Sequence, residues 1–156
     1  MSLPDLAAVL WRQRELLERL TYRLVCEQLL LAAGRTRWLP AATGEVESLT
    51  AELAVVELQR AAIADTAARQ LGLPRDAGME DMAAAASPPW TEVLLEHREA
   101  LLALTRELAA TAEATRRLTA AGLASVEATM RARGYDARGN AGLAVAAGPI
   151  RVDRAL

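Results

Sequence analysis

Residues 6–24 read LAAVLWRQRELLERLTYRL, and the leucines at 6, 10, 17, 20 and 24 return to one side of a helix at spacings of three and four or their sum. Such spacing gives an α-helix one apolar stripe that a neighbouring element must cover. Leu31 extends this stripe, and two further stripes follow it. Leu39, Val46, Leu49, Leu53, Val56 and Ile63 form the second; Trp90, Leu94, Leu101, Leu104, Leu108 and Leu118 form the third. Three stripes of this length predict an all-α fold, an elongated antiparallel bundle of three long helices with coiled-coil-like packing.

Punctuation residues set the expected boundaries. Ser2, Pro4 and Asp5 suit a first helical turn and Gly34 a helix end, giving a first helix over about 3–34. Pro40 is tolerated only near a first turn, and Gly72 with Pro74 stops the chain again, so a second helix is expected to start at Thr36 or Pro40 and run to Gly72, over about 36–72. A connector follows, with Pro74, Gly78, Ser87, Pro88 and Pro89 and a short helical stretch across Glu80–Ala86. Nothing between Trp90 and Arg133 obliges the third helix, over about 89–133, to stop. At about 1.5 Å per residue it would be roughly 65 Å long, against roughly 45 to 55 Å for the other two. Its end must overhang, bend or pack elsewhere. Residues 1–134 are expected to form the bundle and 135–156 a flexible, glycine-containing tail.

Polar residues interrupt the stripes at Gln13, Glu27 and Arg60. With the first two helices antiparallel, Gln13 is expected close to Arg60. Such a layer would reject slipped registers that bury Arg60 against leucine; alternatively Arg60 extends its charge to solvent from the bundle edge. After Leu108 the third stripe degrades to Thr111 and Thr115, and a new apolar face appears at Leu118, Leu123, Val126 and Met130 among small residues. This change of phase makes the four residues the candidate partner-binding surface. Ordinary core packing of a drifting helix is the competing reading.

Composition narrows the function. The chain has 156 residues and a formal net charge of −2, the size of one domain and without a basic field for nucleic acid or anionic lipid. All basic residues are arginine, a pattern of GC-rich codon usage. Cys26 is the single cysteine, Asp5 and Arg12 interrupt any early secretory core, and no apolar run approaches the roughly 20 residues of a membrane span. A cytoplasmic protein without membrane insertion is expected.

Catalytic material is scarce. His97 is the one histidine, which cannot build a zinc site with Cys26 or supply two Glu-x-x-His pairs for a di-iron bundle. No phosphate-cradling glycine loop or nucleophile elbow occurs. Neither metal, cofactor nor small-molecule substrate is expected, and the chain reads as a non-enzyme. A histidine on a bundle could accept a phosphoryl group in a signalling relay, the alternative function. Yet His97 lies in the third stripe between Leu94 and Leu101, where partial burial with one hydrogen bond is the simpler role. Cys26 beside Glu27 reads as a half-buried, inert thiol.

Three motifs in order resemble a known family. Glu27-Gln28-Leu29-Leu30-Leu31-Ala32-Ala33-Gly34 resembles the E-Q-x-x-L-x-x-G that closes the first helix of FlgN-type flagellar export chaperones. Glu57-Leu58-Gln59-Arg60 is similar to the E-x-x-R of their second helix, and Tyr135-Asp136-Ala137-Arg138-Gly139 to the Y-x-x-x-G after their last long helix. The Pro-Trp pair at Pro89 and Trp90 resembles actinobacterial members. From Asn140 onward no pattern matches.

The resemblance implies a cytoplasmic chaperone of flagellar type III export. Its clients would be the hook-filament junction proteins, bound through their terminal helices, and its destination the cytoplasmic domain of the export gate. Carried over, client binding falls on Leu118, Leu123, Val126 and Met130, and gate docking on Tyr135. By its residues alone, packing back on Met130 or Val126 is the favoured role of Tyr135, and the family context turns the preference to docking.

Overall fold

The computed structural model describes residues 2–133, and every regular element among them is a helix. The elements are α1 (Ser2–Ala32), a short 3-10 turn (Thr36–Trp38), α2 (Leu39–Gln70), α3 (Met79–Ala85) and α4 (Trp90–Ala132). The fold is all-α, with three long helices and a short helical connector. Tyr135 and the expected tail over 135–156 lie outside the described residues.

Helix ends follow from local chemistry. Gly34 and Gly72 adopt left-handed φ values of 65° and 72°, which side chains with a Cβ resist. At the first, Arg35 N–H donates to Leu30 O at 2.8 Å and Gly34 N–H to Leu31 O at 3.1 Å. At the second, Leu73 N–H reaches Ala68 O at 2.9 Å and Gly72 N–H reaches Arg69 O at 3.1 Å. Both are Schellman closures that satisfy carbonyls otherwise left without a partner. Pro40 sits in the first turn of α2, and the 3-10 turn over Thr36–Trp38 precedes it, so α2 begins beside the later of the two expected starts. Asp81 accepts a hydrogen bond from Gly78 N–H at 3.1 Å, capping α3. Trp90 N–H bonds Ser87 O at 3.0 Å, opening α4.

The chain divides into two compact units, Met1–Leu118 and Thr119–Leu156. Within the first, cross-helix pairs give the directions. The Ser2 hydroxyl donates to Gln70 Oε1, Arg12 pairs with Glu52, Arg23 with Glu45 at 3.1 Å, and Thr43 donates to Glu27 at 2.7 Å. Position rises along α1 as it falls along α2, so the two are antiparallel. Toward α4 both rise together: Arg14 meets Glu96 at 3.5 Å, and Gln28 Nε2 donates to Thr111 O at 2.8 Å and Thr115 Oγ1 at 3.0 Å. The first part of α4 therefore runs parallel to α1.

The core of this unit draws on every helix, the short α3 included. Leu6, Leu10, Ala67, Ala68, Met82, Ala83 and Leu94 are buried there, drawn from all four helices. Leu16 is as fully buried as Leu10, although it stands outside the expected stripe. The reason is that α1 packs between α2 and α4 and needs a face wide enough for both. Ala67, Ala68 and Ala83 contribute small buried side chains to this cluster.

Candidate protein-binding surfaces

The last turns of α4 belong to the second unit, described here from Thr119 to Arg133. Leu123, Val126 and Met130 stand at spacings of three and four and so share one side of the helix. Leu123 is 60% and Val126 55% exposed, and Met130 is also exposed. Leu118, an exposed residue, closes the first unit, and its spacing to Leu123 does not continue that side. Three of the four stripe residues thus form a solvent-facing aliphatic row, with Leu118 apart from it. Aliphatic side chains in water are a standing driving force for association, worth about 1.5 to 3 kcal/mol each when fully covered.

Glu127, Arg131 and Arg133 are exposed on the same segment. Thr129 Oγ1 donates to Ser125 O at 2.9 Å, a bond within the helix that leaves the aliphatic row open. Further back, in the first unit, Arg116 and Arg117 both bind Glu113, at 2.9 and 3.1 Å. These arginines hold the Glu113 carboxyl below the usual carboxylate range, chiefly through hydrogen bonds from Arg116 and then Arg117.

His97 is 2% exposed, deep between α1 and α4. Its ring meets Trp11 edge-on with centroids 5.2 Å apart, and its Nδ1 lies 3.4 Å from an Arg14 guanidinium nitrogen. Arg14 in turn stacks over Trp11 at 4.1 Å. Burial lowers the His97 pKa, the Arg14 charge adds to this, and Glu96 acts in the opposite sense. A phosphoacceptor must meet its kinase; a buried imidazole engaged by an arginine does not offer that. His97 serves as a packing residue, as its place in the third stripe implied. The parts played by Trp11 and Arg14 were not legible beforehand because they depend on the α1/α4 pairing, which no local pattern sets.

The three polar interruptions fare differently. Glu27 accepts the Thr43 hydrogen bond across to α2. Gln13 is buried, and its Oε1 has no hydrogen-bond partner; Arg60 Nε is likewise buried and unpartnered. The expected Gln13–Arg60 layer is therefore not closed by a hydrogen bond through those atoms. A buried polar atom left unpaired costs about 1 to 3 kcal/mol. Cys26 is half-buried, as its setting suggested. Among the described residues no cluster of His, Cys, Asp and Glu could hold a metal, and no helix is long and apolar enough to cross a membrane.

The described residues thus define an all-α helical fold with a buried core in its first unit and an exposed aliphatic row on the last turns of α4. The profile of the FlgN protein family matches residues 1–137, most of the chain, and the chain belongs to that family. Membership carries the general role of a flagellar export chaperone. No curated protein and no solved structure matches the chain.

Proposed function

We propose that this chain is a cytoplasmic chaperone that binds hook-filament junction proteins before export. The binding surface is the last turns of α4, with Leu123, Val126 and Met130 as client contacts, while Leu118, which does not share their side of the helix, stands outside it. The observation that carries the reading is the exposure of Leu123 and Val126 on a well-formed helix of a family member whose general role is export. A client's terminal amphipathic helix has an apolar side that needs cover until assembly, and an aliphatic row at helical spacing matches it. Complementary rows can associate by burial alone, so binding and release need no catalysis and no nucleotide.

Delivery is assigned to Tyr135, which docks on the cytoplasmic domain of the export gate. An aromatic ring has few rotatable bonds and a large contact area, which makes it an effective anchor for a pocket on another protein. The test keeps the full chain. Leu123→Asp with Val126→Asp should abolish co-purification with a junction protein's terminal helix while circular dichroism stays that of the wild type. Tyr135→Ala should retain the client and reduce its secretion. Undiminished client binding by the double variant would refute the surface; equal secretion would refute the docking role.

A further inference from the structure

A second surface lies in the first unit, far in sequence from the aliphatic row. Tyr22, Val25 and Leu29 occupy one side of α1 at spacings of three and four, with Tyr22 61% and Leu29 64% exposed. Together with Leu104 of α4, Tyr22 and Val25 wall an open groove of about 230 Å3 whose floor includes the buried Thr21. The Thr21 hydroxyl is turned inward to its own helix, donating to Leu17 O at 2.9 Å, so the floor offers no free hydroxyl proton. The groove is apolar where a partner side chain would enter.

Its rims are acidic. Glu18 of α1 and Glu107 of α4 line the groove, and neither has an ion-pair partner among the described residues. Their neighbours differ: Glu15 pairs with Arg12, Glu96 with Arg14, and Glu113 with Arg116 and Arg117. An apolar floor between two uncompensated carboxylates calls for an occupant with aliphatic anchors and positive charge on either side. We infer that the α1/α4 groove docks an amphipathic helix of a partner protein whose apolar side is flanked by lysine or arginine. This surface is distinct from the stripe on the last turns of α4 and does not depend on it.

Two synthetic helices of about five turns test this. Both carry the same leucine side, one flanked by lysine and the other by glutamate, and each is titrated against the full-length protein by fluorescence anisotropy. The lysine-flanked helix should bind about tenfold or more tightly than the glutamate-flanked one, a difference of about 1.4 kcal/mol. Glu18→Lys with Glu107→Lys should reverse that preference. Tyr22→Ser with Leu29→Ser should weaken the lysine-flanked helix about tenfold, whereas Leu58→Ser, at an exposed position of α2 outside the groove, should leave it unchanged. All these positions are exposed, and circular dichroism checks that each variant keeps its helices. Failure of the lysine-flanked helix to bind, indifference to the charge reversal, or an equal loss of binding in Leu58→Ser would overturn the assignment. A concentration-dependent dimer dissolved by Tyr22→Ser would give the groove to a second copy, and would overturn it too.

Discussion

Leu94 and Leu123 are the same residue on the same helix, and they meet opposite environments. Leu94 is fully buried in the first unit, at the corner where α1, α2 and α3 also contribute side chains, whereas Leu123 in the second unit is 60% exposed. Burial is decided by how many elements converge on a position, not by the residue's own polarity. In the first unit three other helices supply side chains to the corner where the α4 stripe begins. Among the described residues of the second, the aliphatic side chains of α4 remain largely in solvent. The first arrangement makes stability and the second makes a surface that something else can stabilise.

The contrast is broken most directly at its two ends. Leu10→Ala or Leu94→Ala removes a wholly buried side chain and should lower unfolding free energy by about 2 to 5 kcal/mol, read from urea denaturation. Leu123→Ala should stay within about 0.5 kcal/mol of wild type in the same measurement. Equal losses at both positions would erase the distinction. On the functional side the order reverses: Leu123→Asp with Val126→Asp should weaken a client's terminal helix by about 10- to 100-fold in calorimetric titration, or about 1.4 to 2.8 kcal/mol, with Leu94→Ala binding normally wherever it remains folded.

Backbone and polar positions sharpen the picture at smaller scale. Gly72→Ala forces a Cβ into the left-handed conformation at the close of α2 and should cost about 1 to 2 kcal/mol, visible as a lower Tm. Gln13→Leu removes the unpartnered Oε1 and should raise stability by about 1 kcal/mol. If Gln13 also enforces register, the same variant should show extra oligomeric species by sedimentation although it is more stable.

The finest effect is one of pH. Burial and the Arg14 charge hold the folded His97 pKa below its usual value of about 6.5, so the unfolded chain takes up the proton first. His97's contribution is fully present above about pH 6.5 and declines as pH falls toward the folded pKa, below which it levels off. Melting curves collected from pH 7.5 to 5 should show this slope in the wild type and a flatter one in His97→Gln.

Much of the fold was legible because helices announce themselves locally. The stripe through Leu6, Leu10, Leu17, Leu20 and Leu24 is buried, Gly34 and Gly72 close their helices, and the proline-rich connector holds a short helix. Each of these signals lies within a few residues along the chain. Leu16, Ala83 and the Trp11–Arg14–His97 contact were not legible, since they depend on which helix packs against which. The family resemblance was readable from three short motifs, and the FlgN profile match now supports it over residues 1–137. The groove beside Tyr22 was not legible either: its three-and-four spacing is present in the sequence, but a second apolar side on α1 acquires meaning only once α4 is set beside it.

The sequence by itself determined three long helices, their ends and the apolar side each had to cover, because periodicity and capping act between residues one turn apart. Only the tertiary structure decided that α4 begins parallel to α1, that α3 seals the corner over Leu6 and Leu94, and that Leu123 and Val126 stay in water. Those outcomes rest on contacts between residues tens of positions apart, whose geometry comes from packing whole helices together rather than from any local run of side chains.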